Sequence, residues 1–398
     1  MSTIEIISWR GSLFTVGLLS ILGLLRFWYY RRIRRLQHQV RHTSGQVVPG
    51  RDPRFLVGNL ADIYSSANRL SGYLSFHESF GNIVQIFWLW KQQISVASYA
   101  MAHQILQSRA SNYQKYPPNA LLRQLFGSSV LTSHGEAWRR YRVLTQTALS
   151  PQRIPLLFEG MIAPVENLSQ TWQTELGASA GALLERDVYP DLMALCLDMI
   201  SRVAVGQSVG ALEGKTQTFQ KNIRLIIACS TQPQYQFVSW WQHLPLVINR
   251  KLAQAFAEID EFLYGLIQSQ RDHSPDVADP KSPSHLLDLL LRATESVDEA
   301  LPPLSDQEVR DNLLAIILNG HESAATCLAL TLALLSQHPE SLARAQAEVD
   351  QCLGSAPFAA ERLRELPYLE SVLQESLRLY PPMTGIQRVS IGPDQLAG

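Results

Sequence analysis

The chain has 398 residues, a formal net charge of −1, 46% hydrophobic and 17% charged residues. That length allows one large domain with an N-terminal segment, and the near-zero charge gives no basis for a nucleic-acid partner. Cys196, Cys229, Cys327 and Cys352 lie far apart without a C-x-x-C pattern, which excludes a disulfide framework and points to the cytosolic face of a compartment.

Gly11 to Leu25 is an uninterrupted apolar run, which Phe27-Trp28-Tyr29-Tyr30 extend past Arg26 to about the 20 residues that span a bilayer. Arg26 is near one end, where it can snorkel, and the aromatics suit the interface. Arg31, Arg32, Arg34 and Arg35 follow, so the positive-inside tendency puts the body on the cytosolic side, the endoplasmic reticulum in a eukaryote. A cleaved signal peptide would carry its basic residues before the apolar run and a small-residue site after it. An interfacial helix is the alternative. The organisation expected is therefore an anchor with a basic stop over 1–36, a Pro/Gly connector over 37–60, and the main body over 61–398.

Ile83 to Trp90 and Ile94 to Ala97 read as two strands around a turn at Lys91-Gln92-Gln93, after which helical patterns dominate. Ser133-His134-Gly135-Glu136 has capping-box spacing and opens a helix on which Trp138 and Arg142, four apart, share a face. An indole N–H beside a guanidinium can bind a carboxylate, although with Arg139 and Arg140 alongside a solvated basic face fits equally. Leu192 to Val205 and Leu252 to Gln268 read as amphipathic helices, Cys229 to Leu246 as a mobile loop, Asp272 to Ser284 as a solvated loop, and Leu286 to Leu291 as the start of another helix.

The stretch that organises the chain is Ser305 to Gln337, proline-free between Pro302-Pro303 and Pro339, with Ser305 and Glu308 at capping-box spacing. Leucine and isoleucine make this helix apolar nearly all round, so it belongs in the middle of a large core. Asn319-Gly320-His321-Glu322-Ser323 interrupts it at what reads as its most buried point. Gly costs about 1 kcal/mol against Ala in a helix interior, and a buried carboxylate needs a partner or a function. A small residue admits a ligand to the backbone, and an acid beside a hydroxyl can hold water and pass protons; a kinked core helix with a satisfied Glu is the alternative. Zinc chemistry of the H-E-x-x-H type is excluded because Ala325 stands at the second His position. Further on, Pro367 opens a helix ended by Pro381, with Glu375 and Arg378 within ion-pair reach and apolar neighbours that suggest partial burial.

In this order, an anchor with a basic stop, W-x-x-x-R, N-G-H-E-S in a long helix and E-S-L-R before L-Y-P-P resemble the cytochrome P450 family of haem-thiolate monooxygenases, from the anchor to about Arg388. The resemblance implies a mainly α fold with a small β region, haem between two helices, and insertion of one oxygen atom of O2 into an apolar small molecule, with electrons from a reductase. It implies that Trp138, Arg142 and Arg388 contact the haem propionates and that Gly320 is the small residue of the oxygen groove. It makes Glu322 and Ser323 the acid–alcohol pair that delivers protons, and Glu375 and Arg378 a structural ion pair. Ser323 stands where the family commonly has Thr, and Asn319 where it has Ala or Gly. By analogy Leu121, Leu122, Phe126, Ala315, Ile316 and Met383 line a substrate pocket or are plain core. The family's F-x-x-G-x-R-x-C-x-G loop, which carries the axial thiolate, has no counterpart in these residues, so no metal ligand is assigned. The expectation is an incomplete copy of the family's catalytic domain, inactive alone, with a non-catalytic membrane-tethered pseudo-enzyme as the alternative.

Overall fold

The computed structural model describes residues 3–41, 45–65, 69–150, 154–178, 185–238, 240–273, 285–292, 303–354 and 359–396. Side chains are described from residue 20 onwards, except those of 154–157 and 159. The side chains of residues 11–19, Pro302 and most of the 272–284 loop therefore lie outside the description. The chain forms two compact units, residues 1–114 with 387–398, and residues 115–386.

In the first unit α1 (Thr3–Gln39) is one continuous helix, followed by α2 (Leu60–Tyr64), α3 (Arg69–Phe80), β1 (Ile83–Trp88), β2 (Lys91–Val96) and α4 (Tyr99–His103). β1 and β2 pair antiparallel with Ile83 opposite Val96 and Trp88 opposite Lys91. Lys91-Gln92-Gln93 therefore belong to β2, and the turn is Leu89-Trp90, with Leu89 at φ +54°. Ile63, Phe76, Val84 and Ile86 form a core on one side of the hairpin, and Tyr29, Ile33 and Phe87 another. The C-terminal segment joins this unit through Ile391 N–H to the Asn112 carbonyl (3.0 Å) and Tyr113 Oη to Asp394 (2.7 Å). Arg388 opens β4 (Arg388–Ser390), which pairs with β3 (Tyr113–Lys115).

The second unit is helical: α5 (Ala120–Phe126), α6 (Gly135–Ala148), α7 (Ile154–Ala178), α8 (Tyr189–Val205), α9 (Gln217–Ser230), α10 (Pro233–Phe237), α11 (Val247–His273), α12 (Leu286–Arg292), α13 (Asp306–Gln337), α14 (Pro339–Leu353) and α15 (Pro367–Leu379). The fold is thus mainly α with a small β region. The segment read as a mobile loop, Cys229 to Leu246, holds α10 and a helical turn at Trp241–His243, because Tyr235 is buried and its hydroxyl donates to Asn249 at 2.6 Å. The capping box of α13 is present: Ser305 Oγ accepts from Glu308 N–H, and Glu308 accepts from Ser305 N–H at 2.8 Å. At Ser133 no box forms, since Gly135 takes φ +59° and His134 becomes the N-cap.

The first half of α13 is the axis of the core, with Val309, Leu313, Leu314, Ala315 and Ile317 at or near full burial among side chains from α5, α8, α9, α11 and α12. Within it sit three consecutive polar residues. Arg310 is 1% exposed and donates to Asp260 (2.8 Å), to the Leu125 carbonyl (2.5 Å) and to Asp311 (3.0 Å). Asp311 accepts from Ser128 N–H at 2.7 Å, and Asn312 from Val130 N–H at 2.9 Å. The backbone of the segment between α5 and α6 is thus held to α13 by side chains of α13. At Gly127, φ +42°, any Cβ would collide with the Asp311 carboxylate, so Gly is required there. Asp311→Ala removes one of the three acceptors of the buried Arg310 guanidinium and the acceptor of Ser128 N–H, and is expected to lower stability by about 1–3 kcal/mol in urea denaturation. Glu375→Gln, at an exposed pair, is expected to leave the urea midpoint nearly unchanged.

Candidate functional site

The amphipathic helix α6 buries Tyr141 and carries Trp138 and Arg142 one turn apart along its more exposed side. Tyr141 is buried and its hydroxyl donates to Glu308 at 2.5 Å. Burial, reinforced by this carboxylate, pushes the Tyr141 phenol up to about 12. One end of α6 is thereby fixed to the capping turn of α13. Trp138 is half-buried, with the Lys115 ammonium 5.5 Å from its ring centre. Arg142, one turn on, is exposed, and its guanidinium faces the amide oxygen of Gln146 at 3.3 Å. Its donor fork is open to an acidic ligand.

The nearly continuous burial of α13 ends at Leu318, beyond which only His321, Ala325, Thr331 and Leu335 are buried. Asn319, Glu322, Ser323 and Ala324 are exposed, while His321 is 3% exposed. The N-G-H-E-S stretch is therefore not the most buried part of the helix but the point where its polar face opens. Gly320 is explained by packing: a Cβ there would fall inside the Ile200 side chain of α8. Asn319 Nδ2 donates to the Ala315 carbonyl at 2.6 Å, and Ser323 Oγ to the Asn319 carbonyl at 2.6 Å. The Ser323 proton is thus committed to the helix backbone, while its oxygen lone pairs stay open as acceptors.

His321 was passed over when the zinc pattern was excluded, and the structure gives it a place. Its Nδ1 is 2.8 Å from the Ile317 carbonyl, which can only accept, so neutral His321 is protonated at Nδ1 and presents Nε2 as an acceptor. His321 and Glu322 line a cavity of about 170 Å³ together with Met193 of α8 and Phe219, Ile223 and Arg224 of α9. A polar dipeptide inside a leucine-rich helix was the available signal. No cluster of three or more metal-binding side chains occurs among the described residues.

Glu375 and Arg378 form a two-pronged ion pair, 2.7 Å at each contact. Their side chains are 55% and 67% exposed, so the expected partial burial is corrected. Ser376 is the residue α15 buries, which turns Glu375 and Leu377 outwards. Arg388 belongs to the first unit, is exposed, and donates to the Gln387 carbonyl at 2.9 Å. Of the apolar positions assigned to a pocket, Leu121 and Ala315 are buried core with Leu122, Phe126 and Ile316 packed on it, and Met383 is exposed.

The donor set suits the carboxylate edge of a haem through Arg142 and Trp138, and a proton-passing face through Glu322 and Ser323. The four cysteines do not suit its axial thiolate. Burial raises the Cys196 thiol to about 11 and raises Cys229 in the same way. Cys352 Sγ donates to the Glu365 carbonyl at 3.0 Å, and Cys327 is half-buried within α13.

The family model described as Cytochrome P450 matches residues 48–398. The chain is 27% identical over 347 residues to self-sufficient cytochrome P450 monooxygenase CYP505E5 of Aspergillus kawachii, covering 85% of this chain and 31% of that protein. It is 26% identical over 404 residues to cytochrome P450 734A1 of Arabidopsis thaliana, covering 96% of this chain and 74% of that one. Among solved structures, retinoic acid bound cyanobacterial CYP120A1 superposes with a TM-score of 0.68 at 24% identity, over 87% of this chain and 73% of that chain. The chain thus spans about a third of the length of the fungal relatives and about three quarters of the plant one.

Burial holds both His285 and His321 below the ordinary histidine range, against the opposing charges of Asp288 and Glu322 and their backbone bonds. The folded state therefore takes up these protons later than the unfolded chain. Stability from this source is complete above about pH 6.5 and is lost as pH falls below it. Urea midpoints at about pH 7.5 and 5.5 should fall less in the His285→Gln, His321→Gln double variant than in the parent; an equal fall contradicts the assignment.

Proposed function

Because the chain belongs to the cytochrome P450 family, whose members bind haem, we propose that it serves a haem-dependent monooxygenase inserting one atom of O2 into an apolar small molecule. The observation that carries this reading is the abrupt change along α13. The helix is nearly continuously buried through Leu318 and then turns an acid and a hydroxyl outward, while His321 and Ala325 stay buried.

Bound haem supplies the reductive activation of O2, and this chain's residues supply the rest. Arg142 and Trp138 hold the propionate edge, with Arg388 as a further contact. Gly320 lets α8 pack close through Ile200 behind the turn that carries the pair. Ser323 would turn its O–H from the Asn319 carbonyl to give that proton to a water on the reacting face as its Oγ takes a proton from Glu322 or a second water, so the hydroxyl ends neutral. Glu322 replenishes that proton from the solvent side. Glu375 and Arg378 brace α15. The partners are an apolar substrate, O2 and an electron-donating reductase; nucleic acid is not among them. Residues 1–36 act as a single-pass anchor and basic stop, 37–60 as connector, and 61–398 as the catalytic body, on the cytosolic face of the endoplasmic reticulum in a eukaryote. Among the described residues the helix that is long and apolar enough to cross a bilayer is Asp306–Gln337, which the core accounts for.

This reading requires an axial thiolate other than Cys196, Cys229, Cys327 and Cys352. Their environments favour a second reading, a membrane-tethered pseudo-enzyme that binds but does not oxidise. Expression of these residues with haem supplied, followed by reduction under carbon monoxide, should give no thiolate-type Soret band. Such a band would show that one of the four cysteines reaches the iron and would overturn their exclusion; its absence together with haem retention supports the second reading for these residues. Arg142→Ala lowers haem retention in both cases; unchanged retention removes Arg142 from the site.

A further inference from the structure

Within the helical unit, the cavity beside His321 is not used by the chemistry proposed above. Phe219, Ile223 and Ile227 recur every fourth residue along α9, so they share one face and line a space of about 170 Å³ against α8 and α13. Phe219 and Ile223 are each 4% exposed, and the Phe219 ring is held in place by Phe262 of α11, with ring centres 4.7 Å apart. Met193 of α8 adds a flexible thioether, which adapts to the edge of an aromatic ring. The inner lining is therefore apolar, and its shape is set by helix packing. A cavity of about 150 Å³ with such a lining accepts benzene, so this one has room for a single ring carrying a small substituent.

One polar group interrupts that lining. His321 is 3% exposed, and its Nδ1–H donates to the Ile317 carbonyl at 2.8 Å. Nε2 is left as an acceptor, and among the described residues it has no hydrogen-bond partner. A buried acceptor without a donor costs free energy, so the cavity favours an occupant that brings one. Water is a poor occupant at this end. It is held by two to four polar partners, and beside Nε2 the inner lining offers carbon and sulfur.

The rim narrows the choice further. Arg224 and Glu322 both line the cavity and are exposed, and Arg224 Nε lies along its own helix, 3.4 Å from the Gln220 carbonyl. One cation and one anion leave no net charge at the rim to draw in an ion. A carboxylate has no proton to give Nε2, whereas a hydroxyl has.

We propose that this cavity is a binding site for a neutral one-ring phenol. The ring packs among Phe219, Ile223 and Met193, and the hydroxyl donates to Nε2 of His321. Neither haem nor an axial thiolate takes part in these contacts, so the site stands or falls apart from the monooxygenase reading.

The test titrates the full chain in detergent with phenol and with toluene, which replaces the hydroxyl by a methyl group, at measured free concentrations. Phenol should bind the parent saturably. Ile227→Trp, which fills the cavity from α9 and leaves His321 in place, should abolish that binding. In His321→Leu, phenol should weaken about 3–10-fold, the worth of one neutral hydrogen bond, while toluene binds no more weakly than to the parent. Comparing each ligand with itself across the variants removes any difference in partition into detergent. Absence of phenol binding to the parent, phenol binding undiminished in Ile227→Trp, or an equal loss of both ligands in His321→Leu would each overturn the site. Should His321→Leu fail to fold, the Nε2 resonance of His321 is followed in the parent labelled with nitrogen-15 histidine, and is identified by its loss in His321→Gln. It should shift with phenol and not with toluene; a resonance that phenol leaves unmoved would overturn the contact.

Discussion

A guanidinium has no neutral form at any accessible pH, so burying one obliges its surroundings to supply acceptors. Arg310 imposes this condition at the centre of the helical unit. Its fork draws in Asp260 from α11, the Leu125 carbonyl at the end of α5 and its neighbour Asp311, which in turn holds Ser128 N–H. Asn312 continues the row by holding Val130 N–H. Apolar packing is tolerant of small slips, whereas directional bonds to a buried charge are not. The segment leading into α6 is therefore fixed to α13 by polar bonds of set length, and Tyr141 fixes α6 itself through Glu308. Trp138 and Arg142 inherit their positions from this arrangement.

The same helix changes character along its length. Through Leu318 it is core, and from Asn319 it shows a polar face whose hydroxyl is tied back to the helix by a 2.6 Å bond. Gly320 serves the packing side, letting α8 come close through Ile200, so the glycine is required whatever lies on the opposite face. His321 points into the cavity shared with α8 and α9, kept neutral by burial and by its bond to Ile317. One turn of helix thus combines a structural glycine, a buried neutral imidazole and an outward acid–hydroxyl pair. The chemistry proposed here needs only the last of these, and the first two keep the backbone in register beneath it.

Most of the helical scaffold was legible in the sequence because its signals are local. The Ser305–Glu308 box and the prolines at 339 and 367 act within one turn of the chain, and α13, α14 and α15 begin where they indicate. The box at Ser133 failed for an equally local reason, the left-handed Gly135 that its spacing conceals. What could not be read was which face each element turns inward. The leucines around Glu375 suggested burial, yet Ser376 is the side chain covered. The five residues at 319–323 were identified as the chemical centre, but their exposure was misjudged because an apolar helix reads as buried throughout. The Arg310–Asp311–Asn312 row was overlooked because its meaning lies in partners more than a hundred residues away along the chain.

That the outward pair on α13 moves protons is tested most directly by coupling in a haem-loaded parent protein that supplies the axial thiolate, given a reductase. Ser323→Ala should retain haem and still consume reducing equivalents, while product formed per equivalent falls about 10–100-fold, and Glu322→Gln should do the same. Coupling unchanged in both variants would contradict the claim and leave the proton supply to water alone.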